Sequence, residues 1–403
     1  MSKSIPTERN SKTVKPEKPY EGFPLFAHAT NRWAKKIRGK LHYFGPWNDP
    51  DGALERLNHA WPFLKDGRTP PAIDTGEGCT VRHLCNAFLT SKKLQLDSDE
   101  LSARSFRDYY ATCDRLINHF GKDRRIDDLR PPDFAGLRSG MAKRWSVVTL
   151  KNEINRIRVV LKFAHDERLI DSPVHLGQSF NRPSAKVLRK ARNDAGPRMF
   201  EADEIKRLLE NVDVSFKAMI LLAVNGGLGN TDIANLPQSA VDFENGWLDY
   251  PRPKTEIARR IPLWQETMQA LRLAINTRPA EKDRADSPLC FLTRTGKRWV
   301  RLQDKKGVSD QSVATMPIDA LSQRFKRLST SLDINGHRGF YALRHTFETI
   351  AGESRDQVAV NAIMGHVDTS MAGVYRERIS NDRLTAVVGV VHDWLWPVTE
   401  GGC

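Results

Sequence analysis

Two polar segments constrain this chain more than any other feature. DGRTPPAIDTGEG (66–78) is rich in Pro and Gly, and NRPSAKVLRKARNDAGPR (181–198) has no apolar period and six bases. Neither can cross a hydrophobic core, so the 403 residues divide around them. At roughly 150 residues per domain, that length suits two or three units. The expected partition is a flexible tail (1–21), a small module (22–65), a linker (66–78), a helical domain (79–175), a basic linker (176–198) and a large domain (199–403).

The charge is distributed along the same divisions. Lys and Arg total 63 against 49 Asp and Glu, a formal net charge of +14, which points to an acidic partner such as nucleic acid. Residues 1–75 carry a net +5, residues 76–180 a net +4, and residues 181–198 alone a net +5. Residues 199–403 sum to zero. A phosphate grip is therefore expected in the first half and in the second linker. Several classes are excluded by expectation. No apolar run approaches the roughly 18 residues of a membrane span, and the N-terminus lacks the apolar stretch of a secretory leader. The five cysteines include no CxxC pair, which predicts reduced thiols, no metal site and a cytoplasmic protein.

Periodicity fills in the elements. Trp33, Ile37, Leu41 and Tyr43 predict short strands around a turn, with GALERLNHAWPFL as a helix behind them. The bases Lys35, Lys36 and Arg38 lie in this stretch. Helices follow over TVRHLCNAFLTSKKL, SARSFRDYYATCDRLINHF, a stretch from Pro131, and 146–168. The last has an apolar stripe (Leu150, Ile154, Ile157, Leu161, Ala164) and a second stripe of Lys151, Asn155, Arg158 and Lys162. Such a helix can pack on a bundle while facing phosphates. Segment 181–198, with Arg189, Lys190 and Arg192, is expected to be an extended connector. The large domain is expected to be mainly helical with one small sheet, a hairpin over WLDYPRPKTEIARRIPLW.

The chemistry concentrates in YALRHTFETIAGESRDQVAVNAIMGHVDTSMAGVYRERIS. Arg344 lies on one helix, Gly365–His366 ends another, and Tyr375 follows His366 by nine residues. Each residue alone has an ordinary structural explanation: an ion pair, a helix cap, a half-buried ring. The joint spacing resembles the catalytic domain of the tyrosine recombinases, the phage-integrase family, with its H-x-L-R-H stretch, its L-G-H variant and a tyrosine nine residues later. The resemblance covers about residues 22–396.

That resemblance implies a mainly α, multidomain fold. It comprises a β-rich arm-binding module (22–65), a helical core-binding domain (79–175), and a mixed, mostly helical catalytic domain (199–403) with a small antiparallel sheet and a tail helix. It implies double-stranded DNA as partner, a tetramer on synapsed DNA, no cofactor, and a bacterial or phage-encoded protein. Tyr375 would be the nucleophile that forms a 3′-phosphotyrosine, and Arg344 the phosphate clamp. His366 would donate a hydrogen bond to the phosphate, and Lys254 at the hairpin tip would be the general acid.

The sequence departs from the pattern twice. In GGLGNTDIANLP, Gly229 stands where the family has its first arginine, with Asp232 at the acidic position; Tyr341 replaces the histidine of H-x-L-R. Tyr341 can still donate one hydrogen bond. Removing one preorganised donor typically costs about 100–1,000-fold in rate. By position, Arg338, Arg259 and Arg260 are candidates for a substitute cation. The expected function is therefore a site-specific recombinase that integrates or excises a mobile element. The alternative is a catalytically weakened, DNA-binding relative that regulates or blocks recombination. A type IB topoisomerase-like enzyme would use the same chemistry, whereas an RNA-binding protein would explain the charge but not the spacing.

Overall fold

A computed structural model describes residues 15–68, 70, 78–304, 315–334, 336 and 338–397. Most of the linker expected over 66–78, much of the expected tail and Cys403 lie outside the described residues.

The N-terminal module is an antiparallel sheet of β1 (Phe26–His28), β2 (Arg32–Ile37) and β3 (Lys40–Pro46), in order β1-β2-β3, backed by α1 (Pro50–Lys65). The pleat alternates, so Trp33 and Ile37 turn inward with Phe23, Leu25, Phe44 and Leu57. Phe26, Leu41 and Tyr43 stay on the outer side, each about 40 % exposed. A two-residue turn at Arg38–Gly39 sets the β2–β3 register, Ile37 opposite Lys40.

The middle domain is a helical bundle of α2 (Val81–Asp97), α3 (Ala103–Phe120), α4 (Pro131–Ala142) and α5 (Val147–Asp166). Thr80, Ser102 and Ser146 cap α2, α3 and α5, each accepting a backbone N–H of the first turn. The apolar stripe of α5 is wholly buried, among Leu84, Phe88, Cys113, Leu116 and Phe134. Glu153 is also buried on α5, where it bridges Arg115 and Arg156 (3.0 Å), and Arg156 reaches Asp108 at 2.7 Å.

Segment 181–198 is not the extended connector its lack of apolar period suggests. It contains α6 (Ala185–Asp194), capped by Ser184. Its residues are good helix formers (Ala, Lys, Leu, Arg), and the helix buries none of them, so propensity and a cap account for it without a core face.

The C-terminal domain begins where Phe200 enters the core. Its N–H donates to Thr346 Oγ1 (2.8 Å), and its ring packs on Phe325. Helices α7 (Ala202–Glu210) and α8 (Val214–Gly226) follow, then α9 (Asn230–Ala234). Strands β4 (Val241–Asp242), β5 (Trp247–Asp249) and β6 (Arg260–Pro262) form an antiparallel sheet in that order. The expected hairpin is thus β5–β6. A second sheet corrects the expectation of only one: β7 (Val300–Asp304) pairs with β8 (Thr315–Asp319). Two five-residue strands, one interrupted by Pro317, leave too short an alternation to register as a strand pair.

Helices α10 (Gln265–Asn276) and α11 (Ala320–Ser331) precede α12 (Ala342–Ala351) and α13 (Gln357–Met364). The short α14 (Met371–Tyr375) and the tail helix α15 (Asn381–Leu395) complete the chain. The central element is α8, apolar on every side and buried from Ala218 to Gly226, with α10 and α12 packed against it. Helix α15 lies on α12, α13 and β6 and buries Leu384, Val387, Val388, Val391 and Leu395 in its own domain. Among the described residues no helix is long and apolar enough to cross a membrane.

Candidate active site

The core of the site is where α8 and α13 end and α12 begins. Helix α8 stops at Gly227, whose φ of +64° is left-handed and whose missing Cβ would sit 2.8 Å from Phe347. This turn presents the Gly227 carbonyl to Arg344 on α12. Helix α13 stops at Gly365, also left-handed (φ +62°), and presents the Met364 carbonyl to Arg344 Nη2 at 2.8 Å. His366 follows, and its Nε2 lies 3.0 Å from Arg344 Nη2.

Arg344 is 2 % exposed, and its hydrogen-bond partners are two carbonyls and an imidazole, all neutral. Among the described residues no carboxylate pairs with it. Burial pulls its pKa down, and the nearby Arg252 charge adds to this. A buried guanidinium is normally paired, so this one presents unneutralised charge.

Guanidinium has no acceptor, so His366 Nε2 must receive the Arg344 hydrogen bond. The ring is then neutral, with its proton on Nδ1 facing Asn361 Oδ1 at 3.4 Å and Glu348 at 3.9 Å. Burial holds the His366 pKa below its ordinary value, reinforced by Arg344 and, after the opposing Glu348, by Arg252. In this arrangement the imidazole Nε2 accepts from Arg344 and orients its guanidinium.

The two departures from the family pattern touch each other. A Cβ on Gly229 would lie 3.4 Å from the Tyr341 ring, at van der Waals contact, so the two positions are neighbours in space. Tyr341 is half exposed and stands edge-on to His345, with ring centroids 5.6 Å apart. Burial, and the Arg198 and Arg192 charges, lower the His345 pKa, which places the α6 end of the linker within electrostatic range of α12. Asp232 Oδ2 accepts both the Gly229 N–H and Arg259 Nη1, each at 3.1 Å.

The hairpin arginines separate clearly. Arg259 is buried, bonded to Asp232 and to the Tyr250 carbonyl (3.0 Å), and its Nη2 is buried without a partner. Arg260 points away, pairing with Asp249 at 2.9 Å and lying over Trp247. Arg338 is bound to Glu204 through both nitrogens (2.7 and 2.6 Å) and to the Met199 carbonyl, over the Phe200 ring. Arg338 and Arg260 are thus committed elsewhere, which corrects their candidacy as substitute cations. Arg252, which the sequence reading passed over, donates Nη1 to the Gly365 carbonyl at 3.2 Å. Its available signal was position: it shares the hairpin tip with Lys254, two residues on.

Lys254 is exposed on that tip, and Tyr375 is 76 % exposed at the end of α14. Neither makes a hydrogen bond to Arg344 or His366 among the described residues. Tyr375 stands in an exposed apolar stretch with Val367, Met371 and Val374. Asp368 fastens that stretch, accepting from Ser370 and from Arg376 Nη1 (2.7 Å), and these bonds hold its pKa at about 2.

The other basic residues are distributed as follows. Lys36, Arg189, Lys190 and Arg192 are exposed. Lys35 lies over the Trp61 ring at 4.7 Å, and Arg38 donates to the Lys65 carbonyl. On α5, Lys151 is half-buried. Arg158 is held by the Phe180 carbonyl and Asn181, and Lys162 pairs with Asp166. The α5 basic stripe is therefore partly used within the domain. The described cysteines, Cys79, Cys85, Cys113 and Cys290, are buried and not disulfide-bonded, and no cluster that could hold a metal occurs among the described residues.

Residues 198–381 match the phage integrase family. Lambda integrase, solved as a dimer bound to a COC′ core site, aligns with 91 % of this chain and 99 % of its own at a TM-score of 0.54 and 13 % identity. The Tn1549 transposon integrase, solved with a circular intermediate DNA, covers 76 % of this chain and 98 % of its own at 0.52 and 19 % identity. The fold is that of these integrases. The tyrosine recombinase XerC of Alcanivorax borkumensis is 24 % identical over 187 residues, 44 % of this chain, and the match spans only 55 % of that relative. The family match is thus confined to residues 198–381, and the structural likeness is one of fold.

Proposed function

We propose that this protein is a site-specific DNA recombinase that cuts and rejoins duplex DNA through a 3′-phosphotyrosine, for the integration or excision of a mobile element. The observation that carries the reading is the Arg344–His366 pair: a buried cation without a carboxylate, oriented by a neutral imidazole and followed nine residues later by Tyr375. A scissile phosphate supplies the anion this pair lacks. Tyr375 Oη attacks phosphorus and its proton passes to solvent. The bond to the 5′ oxygen breaks, and that oxygen takes a proton from Lys254. The ester keeps the bond energy, so a second 5′ hydroxyl can reverse the step on another strand.

Tyr375 and Lys254 would meet the phosphate from their exposed positions on α14 and the hairpin tip. The basic α6 and the outer face of β1–β3 would contact duplex backbone, and residues 79–175 would close a clamp with the C-terminal domain. Lambda integrase has been solved as a tetramer bound to a Holliday junction, and a tetramer on synapsed DNA is proposed here too. The protein would act on bacterial or phage DNA in the cytoplasm.

The test uses a duplex that the protein itself selects from a randomised pool, nicked so that the cut strand's short end diffuses away. The full chain will accumulate a covalent protein–DNA adduct, and Tyr375→Phe will form none. Binding without an adduct would refute catalysis in favour of a regulator that occupies recombination sites, the reading that Gly229 motivates.

A further inference from the structure

Resting on the proposed function, we infer that Arg252, carried by the β5–β6 hairpin, supplies the second phosphate-binding guanidinium that Gly229 cannot.

The argument begins with what the site lacks. A phosphoryl transition state spreads negative charge over several oxygens, and one guanidinium meets only part of it. Residue 229 has no side chain, and the Tyr341 ring lies beside it. A second cation must therefore come from another element. Of the arginines near this region, Arg338 is bound by Glu204, Arg260 by Asp249, and Arg259 by Asp232 at full burial. Arg252 differs from all three. It is only partly buried, its side-chain hydrogen bond is to a neutral carbonyl, and no carboxylate pairs with it among the described residues.

Its place is fixed by the turn that carries His366. A Cβ on Gly365 would lie 3.0 Å from Arg252 Cβ and 2.8 Å from Arg259 Cδ, so both hairpin arginines press on the residue before His366. Gly365 is thus required twice, by its left-handed backbone and by these side chains. Arg252 and Arg259 flank the hairpin tip, tied across it by the Arg252 N–H to Ile257 carbonyl bond and the Tyr250 N–H to Arg259 carbonyl bond. Arg252 is close enough to lower the proton affinity of both Arg344 and His366. Three guanidiniums against two carboxylates, the buried Asp232 and the half-buried Glu348, then leave a local positive excess beside the imidazole.

The division of labour is specific. Arg259 is a positioning residue that binds Asp232 and anchors the hairpin. Arg252 is the group that exchanges the Gly365 carbonyl for a phosphate oxygen, on the same tip that carries Lys254.

The experiment is the adduct assay on the selected nicked duplex. At saturating duplex, Arg252→Gln will form adduct about 100–1,000-fold more slowly than the unaltered chain. Arg252→Lys will recover part of the rate, since it restores charge without the planar fork. Arg260→Gln will react at the unaltered rate. A duplex with a neutral methylphosphonate at the mapped scissile position separates electrostatic from structural roles. With one phosphate charge removed, the Arg252→Gln deficit will shrink at least tenfold if the guanidinium acts on that charge.

An Arg252→Gln rate within threefold of the unaltered chain overturns the inference, as does a deficit that is the same on both substrates. If Arg252→Gln does not fold, the Arg252→Lys comparison on the two substrates decides by the same criterion. Failure of the unaltered chain to form adduct refutes the proposed function instead, so the two failures are distinguishable.

Discussion

Asp232 and Arg259 offer a quantitative test of how the hairpin is anchored. Arg259 has a fully buried side chain, and the Asp232 carboxylate is 9 % exposed. Burial pulls the Arg259 pKa down while Asp232 opposes it. Asp232→Asn keeps an acceptor for the Gly229 N–H but removes the charge, leaving a guanidinium buried and unneutralised. Breaking such a pair costs about 3–5 kcal/mol. Arg259→Met leaves the carboxylate stranded and should cost a similar amount. The double variant Asp232→Asn/Arg259→Met removes both charges, so its loss should fall short of the sum by about 2–3 kcal/mol. Three domains do not melt as one two-state unit, so the assay is native-state hydrogen exchange of the α8 and α9 amides, which reports the local opening free energy. Losses that add to within about 0.5 kcal/mol would refute the claim that this pair is coupled and holds the hairpin against α9.

Two further outcomes are expected. Because His345 and His366 have folded pKa values below their ordinary 6.5, the unfolded chain takes up protons first as pH falls through that value. Stability of the C-terminal domain will therefore drop between about pH 7 and pH 5, and His366→Asn will flatten the urea-midpoint profile over that range. On the exposed face of α6, Arg189→Glu/Lys190→Glu will weaken DNA binding at all sequences alike. It will also reduce the slope of log affinity against log salt by about two, as measured by fluorescence anisotropy.

What the sequence revealed, and what it hid, follows from how local each signal is. The buried stripe of α5 needs only a 3.6-residue period, and Leu150 to Ala164 display it without reference to anything distant. The meeting of Arg344 with His366 is legible because their family spacing encodes two helix ends. Arg252 was missed because its meaning comes from the Gly365 carbonyl, more than a hundred positions downstream. Helix α6 was hidden because burial, the usual signature of a helix, is absent from it. The zero charge of residues 199–403 is an average, and it conceals three arginines drawn around Asp232 and His366. The paired change at Gly229 and Tyr341 reads as two separate losses in sequence and as one contact in space.

The entry of Phe200 into the core has a practical consequence for recombining domains between relatives. Phe200 donates its N–H to Thr346, on the helix that also carries Arg344, so the chain just after the linker is already part of the reaction centre's frame. Gly196, by contrast, has nothing within 4 Å of where a side chain would start. A chimaera that takes its DNA-reading half from another protein should be sewn at Gly196. A seam moved only a few residues downstream would replace Phe200 and loosen α12, altering chemistry in what was meant to be a change of address.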